Sequence, residues 1–136
     1  MLVVDASALA ELLLARPAAA HIEHHIASHD HQLHAPQLLY VEVLSALRRV
    51  VASGEASTVR AGEAVDDLLD LPVECYPHDI LVPRAWELRD NFSAYDAAYL
   101  ALAETLVEDG VPLLTADARF ARAAEAHSDI DVLLVD

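Results

Sequence analysis

Apolar residues occur along this chain in two patterns. Short continuous apolar runs predict buried strands at residues 2–5, 73–76, 112–115 and 131–135. Longer segments rich in helix-forming residues predict helices at residues 7–15, 18–28, 37–53, 56–70, 78–91, 94–109 and 118–127.

This alternation predicts a helix-rich α/β fold around a small, mostly parallel sheet. In sheets of this kind, ligands bind beyond the carboxyl ends of the strands, where the strand order switches direction. Acidic residues that directly follow a predicted strand are therefore the first candidates for chemistry.

Composition narrows the class of protein. The chain has 136 residues, a length typical of one domain, and its 55% hydrophobic content supports a real core, which excludes a disordered protein and a disulfide-stapled miniprotein. It has no lysine, which excludes a lysine-dependent phosphate loop and Schiff-base chemistry. Its single cysteine excludes an intrachain disulfide and a zinc–thiolate cluster.

No apolar run is long enough to span a membrane, and we expect a cytoplasmic protein.

Three acids lie where a strand ends or a helix begins. Asp5 ends the predicted strand 2–5, and Asp117 lies two residues after the predicted strand 112–115, so both belong to the same edge of the sheet. Asp96 lies three residues after Ser93, a variant of the capping box. Helix capping is the alternative interpretation for each of the three acids, since aspartate at an N-terminus satisfies free N–H groups.

Glu42 lies inside an apolar stretch of the predicted helix 37–53. Its neighbours three and four positions away are apolar or small, so its carboxylate must pair, shift its pKa or bind a metal. An ion pair with Arg48 or Arg49 is the alternative.

Four acids from four elements can converge on one pocket. Carboxylates that lie close together repel one another unless a cation joins them, and an oxygen-only set favours Mg²⁺ or Mn²⁺. Such ions activate water and neutralise a phosphate under attack, which predicts metal-assisted phosphodiester hydrolysis.

Four segments, at residues 3–9, 40–49, 93–103 and 113–120, resemble the PIN-domain ribonucleases in order and separation. The likeness is to the VapC-like toxins of bacterial type II toxin–antitoxin systems, and it extends over essentially the whole chain. It implies a single PIN-like nuclease domain at residues 1–136, folded as a three-layer α/β/α sandwich.

The resemblance also implies a site and partners. It implies an Mg²⁺ or Mn²⁺ site whose catalytic and metal-binding residues are Asp5, Glu42, Asp96 and Asp117, supported by the hydroxyls of Ser7 and Thr115. The implied activity is endonucleolytic cleavage of RNA by a metal-activated water. The implied partners are a VapB-like antitoxin that inhibits the enzyme and a second copy, in a homodimer or a toxin–antitoxin hetero-oligomer.

The overall charge departs from that of most RNA-binding proteins. The chain has 23 acids against eight arginines, a net charge of −15, whereas nucleic-acid binders are usually basic. An acidic body suits a basic antitoxin segment. Positioning of RNA then falls to Arg48, Arg49, Arg89 and Arg119, for which solvated helix faces or ion pairs are the alternative.

Two other functions stay open. The main alternative is a catalytically weak PIN-like module that binds protein or RNA. A phosphoesterase for small phosphate esters is disfavoured, because the chain lacks both lysine and a phosphate-binding loop.

Other features carry simpler expectations. Six histidines between His21 and His34 predict a solvated helix and loop, with adventitious metal binding as the alternative. We expect Cys75 to be a buried thiol, and Trp86 and Leu88 to pack in the interior. The apolar residues of segments 12–14 and 22–26 are expected in the core, with a partner groove as the alternative.

Overall fold

Five short strands form one parallel sheet, and seven α-helices cover it. The structure, a computed structural model, describes residues 1–136. The strands are β1 (Leu2–Val4), β2 (Leu33–Pro36), β3 (Val73–Tyr76), β4 (Leu113–Thr115) and β5 (Val132–Leu134). The helices are α1 (Ala6–Leu13), α2 (Ala19–Ser28), α3 (Leu38–Ala52), α4 (Thr58–Asp70), α5 (Val82–Glu87), α6 (Ala94–Thr105) and α7 (Ala118–His127). A short 3₁₀ helix, His78–Leu81, precedes α5.

The order of the strands is β3-β2-β1-β4-β5, and every neighbouring pair is parallel. The chain moves from β1 outward to β2 and β3, so the right-handed connections place α1 to α4 on one face. It then crosses back to β4 and continues to β5, which places α5 to α7 on the other face. The predicted three-layer α/β/α sandwich is confirmed.

The centre of the molecule is built from β1 and α6. All three residues of β1 are fully buried, as expected for a central strand covered by helices on both faces. In α6, seven consecutive residues, Ala97–Ala103, are buried, because small alanine side chains let the helix lie against β1, β2 and β4. This packing brings the N-terminus of α6 to the carboxyl edge of the sheet.

The strand β2 is the largest difference from the sequence prediction. The solvated-loop interpretation of the histidine-rich segment is wrong at its end, because His34 lies in β2 and is only 6% exposed. Its Nδ1 lies 2.8 Å from the Tyr76 hydroxyl, so a hydrogen bond satisfies the buried ring. His21 and His24 are exposed on α2, as predicted.

The predicted helix 78–91 is interrupted. A 3₁₀ helix covers its first turn, and α5 follows with Pro83 in its first turn, where proline is tolerated. Leu88 is buried as expected, but Trp86 is 66% exposed. Its ring stacks against Arg89, whose guanidinium carbon lies 4.4 Å from the ring centroid. The predicted packing of Trp86 in the core is therefore wrong, and a cation–π contact at the surface holds the ring instead.

Two further expectations are corrected or sharpened. Cys75 is half-buried because β3 is an edge strand, rather than fully buried as predicted. Leu13, Ile22 and Ile26 belong to the hydrophobic core, as expected. No helix of the chain combines the length and apolar character needed to cross a membrane.

Candidate active site

The strand order reverses between β1 and β4, and this switch creates a crevice at the carboxyl edge of the sheet. Val4 pairs in register with Leu114, so Asp5, which follows β1, lies beside Thr115, the last residue of β4. The backbone N–H of Asp5 donates to the Leu114 carbonyl at 3.1 Å, which extends the ladder to the edge. The acid is thereby fixed by the backbone of two strands.

The Asp5 carboxylate is only 5% exposed and accepts three hydrogen bonds. The Ser7 hydroxyl donates to Oδ1 and the Thr115 hydroxyl donates to Oδ2, each at 2.6 Å. The Ala8 N–H donates to Oδ1 at 3.1 Å, so Asp5 also caps α1. The capping interpretation is therefore confirmed for Asp5, and a role in the site stays a prediction for the same side chain.

The two hydroxyls are themselves fixed by the backbone of the β4–α7 turn. Ser7 Oγ accepts from the Ala116 N–H at 2.9 Å, and Thr115 Oγ1 accepts from the Asp117 N–H at 3.0 Å. Each hydroxyl can then donate its hydrogen to Asp5. This network joins the turns after β1 and β4 and holds Asp5 in one orientation.

Asp117 and Asp96 occupy helix N-termini that meet at the crevice. Asp117 caps α7, accepting from the N–H groups of Arg119 and Phe120 at 3.0 and 3.2 Å. Ser93 caps α6 and accepts from the Asp96 N–H at 3.2 Å, which places Asp96 in the first turn of that helix. The capping predictions for Asp117 and Ser93 are confirmed, but the Ser93 N–H donates no hydrogen bond to the Asp96 carboxylate, so only half of the capping box forms.

The pKa values show that the acids share one electrostatic field. Burial raises the pKa of Asp5 from 3.8 to about 6, against the lowering effect of its hydrogen bonds, and Asp117 adds a smaller increase. Burial also raises the pKa of Asp96 to about 6, followed in size by the charges of Asp117, Asp5 and Glu42. Each of the other three acids is therefore close enough to repel a charge on Asp96. We call this set of four residues the acidic crevice.

Glu42 reaches the crevice from α3, where it is half-buried. It forms no ion pair, so the alternative of pairing with Arg48 or Arg49 is wrong. Burial and the neighbouring Glu42 carboxylate raise the pKa of Tyr99. The Tyr99 hydroxyl is the only buried side-chain polar atom without a hydrogen-bond partner of good geometry.

Sequence reasoning missed Tyr99. The available signal was its spacing, since it lies one helical turn after Asp96 on the same helix. Its position inside a continuous apolar segment instead favoured a purely structural role. The informative feature was a phenol hydroxyl on an otherwise apolar helix face, next to a set of acids.

The donor set of the crevice fits a hard divalent cation. It consists of four carboxylates and two hydroxyls, and no arginine or histidine pairs with any of the four acids. No group of three or more acidic, histidine or cysteine side chains lies close enough together in this structure to hold a metal ion. Mg²⁺ binds through one or two carboxylates and keeps several waters, so an open set of oxygens suits it.

The four predicted RNA-positioning arginines are all exposed and form no ion pairs. Arg49 lines a recess together with Glu42. Arg119 lies in the first turn of α7, two residues after Asp117. The Arg89 guanidinium stacks on the Trp86 ring and donates to the Trp86 carbonyl at 3.0 Å.

Comparison with known proteins agrees with this architecture. The PIN domain family model matches residues 2–126. The chain is 37% identical to ribonuclease VapC12 of Mycobacterium tuberculosis over 133 residues, 98% of this chain and 99% of the relative. It is 43% identical to ribonuclease VapC1 of the same species over 132 residues, 96% of each chain.

A solved structure shares the fold. The crystal structure of PAE2754 from Pyrobaculum aerophilum superposes with a TM-score of 0.66 at 26% identity, covering 96% of this chain and 81% of that one. The chain therefore belongs to the PIN domain family. Its full-length similarity places it with the VapC-like members of that family.

Proposed function

We propose that this chain is a divalent-metal-dependent endoribonuclease, a VapC-like toxin that hydrolyses RNA phosphodiester bonds in the acidic crevice. The observation that carries the proposal is the convergence of four carboxylates with no internal cation among them. The relatives named ribonuclease VapC support RNA as the substrate class. The proposed metal-binding and catalytic residues are Asp5, Glu42, Asp96 and Asp117.

In this proposal the acids bind Mg²⁺ or Mn²⁺ and the surrounding residues hold them in place. A bound ion would lower the pKa of a water and offset the charge of the scissile phosphate. The Ser7 and Thr115 hydroxyls orient Asp5. Oδ1 accepts from both Ser7 and Ala8, whereas Oδ2 accepts only from Thr115 and keeps a free lone pair for a further ligand. Asp96 and Asp117 lie at the N-termini of α6 and α7, whose backbone N–H groups point towards the crevice.

The elevated pKa values support a role in binding a cation. At pH 7 the crevice holds carboxylates that burial and mutual repulsion disfavour in their ionised form. A divalent cation removes that repulsion, so part of the cost of folding around the acids returns as binding free energy. The acids therefore lower the stability of the metal-free protein and raise its affinity for a divalent cation.

The proposed partners follow from family and charge. We assign an RNA substrate, a VapB-like antitoxin as inhibitor, and a homodimer or toxin–antitoxin hetero-oligomer as the assembly, in the cytoplasm. A net charge of −15 favours association with a basic segment of such an antitoxin.

A second function, a catalytically weak binding module, draws support from the same charge. An acidic surface repels RNA, whose phosphates normally meet a basic protein. The module would bind its partner without turnover. RNA cleavage distinguishes the two functions, because only the endoribonuclease would cleave its RNA.

The test is cleavage of a mixed RNA pool by the purified protein in Mg²⁺, in Mn²⁺ and in EDTA. Asp5→Asn is the site variant, and Asp66→Asn on the exposed face of α4 is the matched control. We expect metal-dependent cuts that EDTA and Asp5→Asn abolish and that the control retains. Binding of RNA or protein without cleavage in either metal would favour the binding module.

A further inference from the structure

One large aromatic side chain beside the acidic crevice is exposed to solvent. Tyr95 directly precedes Asp96 in the first turn of α6 and is 60% exposed. Aromatic side chains usually contribute to cores, as Tyr99 does one turn later on the same helix. An exposed ring next to catalytic acids therefore calls for a binding role.

Helix α3 faces this ring with one continuous stripe of side chains. Positions 38, 42, 45 and 49 are spaced by four, three and four residues, so they lie on one face of the helix. The stripe and the ring enclose a recess of about 280 Å³. Its lining residues are Leu38, Val41, Glu42, Ser45, Arg49 and Tyr95.

Two opposite charges line the recess, one turn or more apart along α3. Glu42 belongs to the acidic crevice, so one end is continuous with the site of cleavage. Arg49, seven residues further along α3, forms no ion pair and leaves its guanidinium free for an anion. Ser45 lies between the two charges on α3, and Leu38 and Val41 supply apolar surface on the N-terminal side of Glu42. The volume lies just below the range of sites for drug-sized ligands, which suits a ligand the size of a nucleobase.

We propose that this recess is a subsite for one unpaired nucleotide next to the scissile bond. The Tyr95 ring stacks on the base, and Arg49 contacts the adjoining phosphate. Stacking on an aromatic ring is available to any base, and the arginine fork matches phosphate oxygens. The subsite rests on the proposed function, and it deepens that function by requiring single-stranded RNA at the cut.

A nucleotide fits the recess better than a second protein chain does. A protein interface core excludes unpaired charges, whereas both Glu42 and Arg49 line the recess without a partner. A nucleotide offers a ring for the tyrosine and an anion for the arginine, and it carries its phosphate towards the acids. Contact between copies is the competing occupant and is one outcome of the test.

The experiment is steady-state cleavage of a short fluorescein-labelled RNA that spans the cut site found with the wild-type protein. Two further RNAs carry an abasic nucleotide, one on each side of the cut. The variants are Tyr95→Ser, Tyr95→Phe and Arg49→Gln, with Trp86→Ser and Arg122→Gln as controls for an exposed aromatic and an exposed cation.

Loss of stacking should appear as weaker binding. We expect Tyr95→Ser to raise KM about tenfold, with kcat changed less than about twofold, and Tyr95→Phe to match the wild type. With one of the two abasic RNAs, the wild type and Tyr95→Ser should have equal KM values. Arg49→Gln should raise KM for every RNA and reduce the salt dependence by about one ion. The two controls should match the wild type.

Three results would overturn the subsite. These are an unchanged KM in Tyr95→Ser, an equal loss on intact and both abasic RNAs, and a Tyr95→Ser variant that changes from dimer to monomer in sedimentation. Absence of cleavage by the wild-type protein would instead overturn the proposed function itself. The two failures are therefore distinguishable.

Discussion

Two acidic regions of this molecule are built on opposite principles. On the α5–α7 face, Arg84 bonds Glu104 through Nε at 2.8 Å and Glu87 through Nη1 at 2.9 Å, and Ser128 donates to Glu104 at 3.3 Å. In the acidic crevice, no cation of the chain forms an ion pair with any of the four carboxylates. Paired acids fasten helices together, whereas unpaired acids leave room for a cation from outside.

The pKa shifts express the same contrast. Hydrogen bonds from Arg84 to Glu104 and Glu87 raise the pKa of the guanidinium, so the charged pair is stabilised. In the crevice, burial and like charges raise the pKa of Asp5 and Asp96 to about 6, so the charged forms are destabilised. The crevice is therefore a site that a divalent ion completes.

The largest expected effect separates the two regions by activity. Asp96→Asn should lower RNA cleavage at least about 100-fold, because the variant keeps the shape of the side chain but loses a charge that holds the metal. Glu87→Gln in the paired region should leave cleavage within about twofold of the wild type. Initial rates in Mg²⁺ measure both variants. Equal losses would remove the functional distinction between the regions.

The second prediction concerns the free energy of unfolding, to which the paired region should contribute more than the crevice. Arg84→Met should destabilise the fold by about 1–2 kcal/mol, because Glu104 is left largely buried without its partner. The figure is discounted because about a third of the arginine side chain is exposed. Urea unfolding measures the free energy. A midpoint equal to that of the wild type would show that the pair contributes nothing.

The third prediction concerns the destabilisation of the folded protein by its unpaired acids. Because the folded pKa of Asp96 is above 3.8, its contribution favours folding fully below pH about 4 and is lost as pH rises through about 6. Asp96→Asn should therefore stabilise the metal-free protein by about 1 kcal/mol at pH 7.5, allowing for partial exposure. At pH 4 the two proteins should unfold alike. A variant less stable than the wild type at pH 7.5 would contradict the repulsion.

The smallest effect concerns the buried phenol beside the crevice. Tyr99→Phe removes a hydroxyl that has no hydrogen-bond partner, so the free energy of unfolding should rise by less than about 1 kcal/mol. Thermal unfolding of the metal-free protein measures it. A loss of about 1 kcal/mol or more would show that the hydroxyl donates a hydrogen bond, with Glu42 as the nearest charged acceptor.

The alternation of strands and helices was readable because the apolar runs are short and the helices are long. Strand β3 and helix α7 end where the pattern predicts, since a proline and a polar segment bound them. Strand β2 was not predicted because His34 and Pro36 are untypical of a buried strand. Burial of His34 depends on its hydrogen bond with Tyr76, which is distant in sequence. Trp86 was misplaced because composition cannot show that α5 presents it to solvent beside Arg89.

The crevice shows the same limit. The positions of Asp5 and Asp117 at strand ends could be predicted from local pattern, because parallel strands share a carboxyl edge. That Thr115 donates to Asp5 depends on the register of β1 with β4, which no local pattern encodes. The choice between a paired and an unpaired Glu42 also needed the structure, because the direction of a side chain on α3 depends on how that helix packs.

The most direct test of the central claim is a calorimetric titration of the metal-free protein with Mn²⁺. Wild type, Asp5→Asn and Glu104→Gln should be titrated at pH 7.5 under identical conditions. We predict saturable binding by the wild type and by Glu104→Gln, and loss of that binding in Asp5→Asn with the fold retained. Undiminished binding by Asp5→Asn, or loss of binding in Glu104→Gln alone, would contradict the assignment of the cation to the acidic crevice.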